Sequence, residues 1–154
     1  MTKRPASSPR ITNRKASFRF EILEKIEAGV ALTGSEVKSL RAGKASLEEA
    51  FAMVREGEAF LRDCNISPYE NAGYAQHAPT RERRLLLHKR EIRKLHSKLT
   101  QQGLTLIPLE MHFNDRGRVK VLLAVCRGKK LHDKRTDLMR KQHQRDMDRA
   151  MKRR

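Results

Sequence analysis

The segment that spans residues 104–125 constrains the fold more than any other part of the chain. Apolar residues are frequent over 104–113, and the tetrapeptide Asn114-Asp115-Arg116-Gly117 that follows is rich in turn-forming residues. Apolar side chains then recur at every second position, as Val119, Val121, Leu123 and Val125. This period predicts a β-hairpin with one buried face, and it turns Arg118 and Lys120 toward solvent. An antiparallel sheet is therefore the expected basis of the fold.

Further strands are predicted earlier in the chain. Residues 47–66 form a strand–turn–strand pattern around the polar turn 55–58. Residues 18–22 alternate apolar and charged side chains at the period of a half-buried strand. The expected strands are short and paired in hairpins, which favours a small barrel over an open parallel sheet.

Two helices are predicted between these strands. Thr33-Gly34-Ser35-Glu36 has the spacing of a capping box and begins a helix near 34–42, which Gly43 ends. A second helix is expected near 83–102, a segment that is rich in helix-forming residues and is followed by glycine.

The predicted fold is α+β and mainly β. It is a small antiparallel barrel of the oligonucleotide-binding type, with about three flanking helices and a disordered basic C-terminal tail. Residues 1–17 are expected to be a flexible basic N-terminal arm, 18–127 the barrel domain, and 128–154 the tail, which has too few large apolar residues to bury itself.

Positive charge is concentrated at the edges of this domain. The chain carries 35 Lys and Arg against 18 Asp and Glu, for a net charge of +17. Residues 1–17, 80–98 and 128–154 carry +5, +6 and +7, whereas the rest of the chain sums to −1. Three basic segments around a neutral core indicate a polyanionic partner. The chain contains only seven aromatic residues, which favours recognition of folded RNA over stacking on unpaired strands.

No catalytic, metal-binding or cofactor-binding motif is found. The six histidines lack ligand spacing, glycine-rich phosphate loops and nucleophile elbows are missing, and the acidic residues are interpreted as solvated surface charge. The two cysteines are isolated, which fits a reducing cytoplasm. No apolar run is long enough to span a membrane. We therefore expect a cytoplasmic protein that is not an enzyme and needs no cofactor.

Several long motifs resemble one protein family. The chain is similar, in order and over nearly its whole length, to the SsrA-binding protein (SmpB) family. The motifs that carry the resemblance are residues 13–16, Glu27-Ala28-Gly29, residues 32–45, Gly57-Glu58-Ala59-Phe60-Leu61, Ile66-Ser67-Pro68-Tyr69, residues 85–92 and residues 128–135.

The resemblance implies a factor for trans-translation. Such a protein binds transfer-messenger RNA (tmRNA, also called SsrA RNA) and carries it, charged with alanine, into ribosomes that have stalled. Its partners are then tmRNA and the ribosome, at the small-subunit decoding centre and the mRNA channel. Elongation factor Tu and alanyl-tRNA synthetase are linked to it only through tmRNA, and a monomer is expected.

The resemblance also implies two sets of binding residues. The barrel side contacts the tRNA-like domain of tmRNA, through Asn13, Arg14, Lys15, Glu27, Lys38, Arg41, Lys44, Arg84, Leu86, Lys89 and Arg90. The tail, which becomes helical on the ribosome, contacts the decoding centre and the empty mRNA channel, through Gly128, Lys129, Lys130, His132, Asp133, Lys134, Arg135, Arg140, Lys141 and Arg145.

The chemistry of three of these residues differs. Asn13, in a basic arm, can donate to phosphate or sugar, and Leu86 offers only an apolar contact or core packing. Glu27 repels phosphate but can accept from a ribose hydroxyl or a base amine; a structural ion pair is an equal alternative. The competing hypothesis for the whole chain is a ribosomal or ribosome-assembly protein with the same basic arms, and a hydrolytic enzyme is a distant third.

Overall fold

Nine β-strands and four α-helices make up the described part of the chain. The structure is a computed structural model that describes residues 9–129 and 131–152, without the side chains of 131–134. The strands are β1 (Ile11–Thr12), β2 (Phe20–Val30), β3 (Ala45–Ser46), β4 (Phe51–Arg55), β5 (Glu58–Arg62), β6 (Asn65–Ile66), β7 (Arg83–Leu86), β8 (Thr105–Phe113) and β9 (Val119–Gly128). The helices are α1 (Ala16–Arg19), α2 (Gly34–Arg41), α3 (Lys89–Gln101) and α4 (Leu131–Lys152), and Gly73–Ala75 forms a short 3-10 helix.

Antiparallel pairing closes six of the strands into a ring. Their order is β8-β4-β5-β7-β2-β9, and β9 pairs back onto β8. The two hairpins expected from the sequence are present as β4–β5 and β8–β9. Strand β1 extends the sheet on β8, and β3 pairs separately with β6. The prediction of a mainly β fold with antiparallel strands and flanking helices is confirmed.

The ring encloses one apolar core. Val119, Val121, Leu123 and Val125 of β9 all point inward and are at most 8% exposed, as the alternation in the sequence predicted. Helices α2 and α3 cover the ring with Leu40, Ile92 and Leu95. Other core side chains are Leu47, Leu61, Ile66, Leu85, Leu106 and Met111. A second, smaller apolar cluster is formed by Ala16, Ile107 and Cys126.

The helix expected near 83–102 begins only at Lys89. Residues Arg83–Leu86 instead form β7, which is paired with β5 on one side and with β2 on the other. Leu85 points into the core while Arg84 and Leu86 are exposed, so the period here is two. The prediction of a helix at 83–88 was wrong because vacant sheet edges on both sides determine the conformation of this segment, and helix propensity does not.

The N-terminal segment is more ordered than the sequence predicted. Residues 1–8 of the expected arm lie outside the described residues, but residues 9–17 are not a free arm. Ile11 pairs with Met111 in β8, and Ala16 is 2% exposed at the start of α1. Helix α1 includes residues 18 and 19, which were expected to be in the strand, so the first long strand begins at Phe20. The edge of β8 provides backbone hydrogen-bonding groups for this segment, and such a long-range pairing is not visible in the local sequence.

Glu36 is the main exception to the prediction that acidic residues are solvated. Its carboxylate has no exposed surface and accepts hydrogen bonds from the side chains of Arg81, at 2.6 Å, and Arg83. It also accepts from the backbone N–H of Thr33 at 2.9 Å, which is the capping contact that the sequence predicted. The capping box was visible in the sequence, but the two arginine partners are 45 and 47 residues away.

Arg83 is also fully buried, and its guanidinium has backbone partners as well. It donates to the carbonyl oxygens of Cys64 at 2.8 Å, Arg81 at 3.0 Å and Pro79 at 3.2 Å. Burial raises the pKa of Glu36, but the hydrogen bonds from Arg81, Thr33 and Arg83 outweigh it and hold the pKa below its ordinary value of 4.5. The pair therefore stays ionised and joins α2 to β7.

Replacing Glu36 by Gln should destabilise the fold by about 3 kcal/mol at neutral pH, because it leaves a buried arginine charge without its partner. A group with a lowered pKa stabilises the fold above its unfolded-state pKa, and this contribution is lost as pH falls through the folded-state pKa. The difference in unfolding free energy between wild type and Glu36→Gln, measured in urea, should therefore shrink in acid.

The control is Glu49→Gln, an exposed partner of Arg19 at 3.9 Å, which should change stability by less than about 0.5 kcal/mol. Equal stability of the two variants would contradict this account.

Candidate nucleic-acid interface

The side chain of Leu86 separates two open grooves on one face of the barrel. Leu86 is 54% exposed although it is a large apolar residue. The first groove, of about 360 Å³, is lined by Glu27, Gly29, Glu58, Ala59, Arg84, Leu85, Leu86, Leu87, His88, Glu91, Ile92 and Lys120. The second, of about 480 Å³, is lined by Gly29, Val30, Leu32, Val37, Leu86, Gly117, Arg118, Val119 and Lys120. Leu86, Gly29 and Lys120 line both, so the two form one continuous surface, here called the Leu86 face.

The packing of β2 against β7 produces this surface. Gly29 lies opposite Leu86 in the register of the two strands. A Cβ atom at Gly29 would lie 3.2 Å from the Cβ of Leu86, closer than most such contacts. Glycine therefore lets the leucine lie across β2, and a larger residue here would displace it.

The charged side chains on the Leu86 face have both signs. Glu27 is exposed and has no ion-pair partner among the described residues, whereas Arg84 pairs with Glu58 at 3.2 Å. Lys120 and Arg118 add two cations that have no carboxylate partner in the described part of the chain. A free carboxylate can accept from a base amine or a ribose hydroxyl, and the cations can neutralise phosphates. Among the described residues no ion pair accounts for Glu27, so its contact with RNA stays a prediction beside the structural alternative.

Arg118 and Lys120 were not among the binding residues expected from the sequence. The alternation in β9 placed them outside the core, but nothing in the sequence indicated which surface they would join. They reach the Leu86 face because β9 pairs with β2, with Lys120 opposite Gly29. Closure of the ring, a contact between distant segments, creates this part of the site.

Other residues expected to bind RNA border the same face. Lys89 and Arg90 are exposed at the start of α3, next to the groove residues His88 and Glu91. On α2, Arg41 lies one helical turn after the groove residue Val37 and is 5.7 Å from the ring of Phe113.

Lys38, on α2, and Lys44, just after α2, line neither groove. The ammonium group of Lys38 is 5.3 Å from the centre of the Tyr69 ring. Lys44 is exposed next to Tyr69 and Glu70. Both lysines therefore face the segment 67–79 and not the grooves.

Asn13 does not occupy the position that the sequence predicted. Its side chain is buried and donates to the carbonyl oxygens of Leu47 at 3.2 Å and Pro108 at 3.1 Å. Both amide hydrogens are used inside the protein, so the expected donation to RNA is not available in this conformation. Arg14 and Lys15 are exposed beside it, and Lys15 is 3.5 Å from Glu48. None of the three lines the Leu86 face.

The start of the tail is attached to the N-terminal helix. Gly128 is exposed and pairs with Phe20 at the end of β9. Lys129 donates its backbone N–H to Arg19 at 3.0 Å and its ammonium group to the carbonyl of Ser17 at 2.8 Å and to Asp137. The hydrogen bond from Lys129 holds the pKa of the Asp137 carboxyl below its ordinary value. These contacts anchor the first turns of α4 to the barrel.

Beyond this anchor, no described residue of α4 belongs to the apolar core. Every residue from 138 to 152 is exposed, including four large apolar side chains, Leu138, Met139, Met147 and Met151. The expected tail residues Arg135, Arg140, Lys141 and Arg145 are exposed as well. Lys130 and the side chains of His132, Asp133 and Lys134 lie outside the description. The sequence predicted a tail that is disordered when free, whereas the structure has a helix here whose residues 138–152 are all exposed.

Other kinds of site were also sought. Within the described ranges, no three His, Cys, Asp or Glu side chains lie close enough together to hold a metal ion. None of the helices described combines the length and the apolar character needed to cross a membrane.

Comparisons with known proteins agree on one family. A family model described as SmpB protein matches residues 10–153. An SsrA-binding protein of Nostoc punctiforme is 58% identical over 91% of this chain and 90% of its own length. An SsrA-binding protein of Syntrophobacter fumaroxidans is 50% identical over 100% of this chain and 98% of its own.

A solved structure matches as well. It is described as "tmRNA-SmpB: a journey to the center of the bacterial ribosome", and its chain is 53% identical to this one. The superposition covers 80% of this chain and 86% of that one, with a TM-score of 0.67. The family model includes both the barrel and α4. The chain therefore belongs to the SmpB, or SsrA-binding protein, family.

Proposed function

We propose that this chain binds tmRNA and delivers alanyl-tmRNA to stalled ribosomes for trans-translation. The observation that carries the proposal is the family match over residues 10–153, which includes the Leu86 face and the tail together. The relatives are named for binding SsrA RNA, and the matched solved chain is described with tmRNA and the bacterial ribosome. In this proposal the protein acts by binding alone and catalyses no reaction.

The Leu86 face is the surface that we assign to the tRNA-like domain of tmRNA. Lys120, Arg118, Arg41, Lys89 and Arg90 lie in or beside the two grooves, where they can neutralise phosphates. Glu27 supplies an acceptor for a base amine or a 2′-hydroxyl, and Leu86 supplies an apolar contact. Such a mixed surface fits the shape and the edges of a folded RNA better than a uniformly basic patch does.

The tail is assigned to the ribosome. Residues 128–154 carry +7, and residues 138–152 of α4 are all exposed, so an RNA-lined channel is a suitable environment for this helix. We propose that α4 is disordered in the free protein and becomes an ordered helix in the vacant mRNA channel beside the decoding centre. When mRNA occupies the channel it excludes the tail, and this competition distinguishes stalled ribosomes from translating ones.

The remaining assignments follow from the same proposal. The closed antiparallel ring, with α3 between β7 and β8, supports an oligonucleotide-binding type of barrel for residues 18–127. We propose that the protein works as a cytoplasmic monomer. Elongation factor Tu and alanyl-tRNA synthetase would then reach it through tmRNA.

The direct test of this function is the RNA that the tagged protein carries. Purified from cells in moderate salt, the protein should retain one RNA that accepts alanine, identified by sequencing and by aminoacylation. The competing hypothesis, a ribosomal or ribosome-assembly protein, predicts ribosomal RNA alone, retained on bulk ribosomes through salt washing. Recovery of ribosomal RNA without an alanine-accepting RNA would overturn the proposal.

Two substitutions on the Leu86 face should weaken tmRNA binding in different ways. Lys120→Ala should lower the slope of log affinity against log salt by about one, because one phosphate contact is lost. Leu86→Ala should lower affinity without changing the slope, because the lost contact is apolar. Filter binding at several salt concentrations measures both. The control is Arg127→Ala, an exposed cation at the other end of β9 that is 3.8 Å from Glu21. An equal loss of slope in the control would place the interface elsewhere.

Changing Asp133, Lys134 and Arg135 together to Ala should abolish tagging of stalled peptides while tmRNA affinity stays within about twofold. The matched control replaces Asp148, Arg149 and Lys152, which removes the same charges from the exposed end of α4. A tagging assay in a reconstituted translation system compares the two. The tail mechanism predicts a far larger defect in the first variant, and equal defects would mean that only the net charge of the tail matters.

A further inference from the structure

Tyr74 is the most exposed of the large hydrophobic side chains in the described part of the chain. It is one of only two tyrosines, it lies in the short 3-10 helix Gly73–Ala75, and its relative exposure is 111%. An aromatic side chain that is fully exposed to water has an unused contact surface of roughly 150–250 Å². The expectation that the chain lacks a stacking platform therefore needs revision at this position.

Tyr74 lies in the segment 67–79, whose composition predicts an exposed loop. Hydrogen bonds nevertheless hold this segment at both ends. The backbone N–H of Tyr69 donates to the Gln76 side chain at 3.0 Å, and that side chain donates back to the Tyr69 carbonyl at 2.8 Å. The Ser39 hydroxyl donates to the carbonyl of Ser67 at 2.7 Å. These bonds close the base of the segment and fix it along α2.

A buried histidine fixes the far end of the same segment. The ring of His77 lies 2.8 Å from the Ser35 hydroxyl and 2.9 Å from the carbonyl oxygen of Ile66. The Ser35 hydroxyl also donates to the carbonyl of Ala75, the residue next to Tyr74, at 3.1 Å. Tyr74 is therefore held by a rigid support. A partner that contacts its ring binds without the entropy cost of ordering the backbone.

Positive charge borders the segment 67–79 that carries Tyr74. Lys38 follows Ser35 by three residues on α2, so the two share the face of the helix that contacts the segment 67–79. Lys44 borders the same segment, and the exposed carboxylate of Glu70 lies in the same depression. Val37, next to Lys38, lines the second groove of the Leu86 face. Lys38 and Lys44 therefore both border the segment that carries Tyr74, and α2 separates this segment from the second groove.

We propose that Tyr74 and Lys38 form a stacking site for an unpaired nucleotide of the RNA bound on the Leu86 face. The ring of Tyr74 stacks on the base, and the ammonium group of Lys38 faces the adjoining phosphate. The inference rests on the proposed function, because it takes the bound RNA to be tmRNA. It adds a contact that reads an unpaired segment, next to a surface that binds folded RNA.

The test compares Tyr74→Ala with Tyr74→Phe in the full-length protein. Stacking of one base predicts that Tyr74→Ala binds tmRNA about tenfold more weakly, whereas Tyr74→Phe stays within twofold because the ring is kept. The control is Leu23→Ala, which shortens an exposed apolar side chain on β2 that is not part of either surface, and it should bind like wild type. Thermal unfolding checks that all three variants fold.

Each outcome has a separate meaning. If wild-type protein fails to bind tmRNA, the proposed function fails, and this inference with it. If wild type binds and Tyr74→Ala binds equally well, only the stacking site is overturned. A Phe variant as weak as the Ala variant would replace stacking by a hydrogen bond from the hydroxyl. Unchanged tmRNA binding with a loss of tagging would assign Tyr74 to a contact on the ribosome, which also contradicts the proposal.

Discussion

The Glu36 carboxylate, held between Arg81 and Arg83 without exposed surface, fixes α2 against the barrel. A buried ion pair adds little to stability compared with an apolar core, because desolvation offsets its Coulomb energy. Its value here is positional, since α2 forms a wall of the second groove and also supports the segment that carries Tyr74. The two proposed RNA-binding surfaces therefore depend on one buried carboxylate that touches neither.

The chain combines a rigid barrel with a helix, α4, that has no apolar core of its own. The barrel places cations, a free carboxylate and an exposed leucine at fixed positions around Gly29, which suits a structured RNA that must be held throughout. Helix α4 is held near its start by the contact of Lys129 with Asp137, and its residues 138–152 are all exposed. A segment of this kind gains order from its surroundings, so it can report whether a channel is empty.

Local patterns in the sequence predicted much of this arrangement. The alternation of β9 identified its buried face, and the capping box placed the start of α2. The conformation of 83–88 and the burial of Asn13 could not be predicted, because vacant strand edges and distant carbonyl groups determine them. Glu27, Leu86 and Arg84 were expected to bind RNA from the resemblance, and the register of β2 with β7 and of β5 with β7 brings them together. The position of Arg118 and Lys120 beside Leu86 could not be predicted, because it follows from closure of the ring.

The central claim is that the barrel is ordered in every state while α4 becomes ordered only in an empty mRNA channel. Amide hydrogen exchange of the full-length protein tests it in four states: free, bound to tmRNA, bound with tmRNA to ribosomes whose channel holds mRNA, and bound with tmRNA to ribosomes whose channel is empty. We expect barrel amides to be protected throughout, and amides of 138–152 to exchange rapidly except on ribosomes with a vacant channel. Strong protection of these amides in the free protein, or equal protection on ribosomes filled with mRNA, would contradict the account.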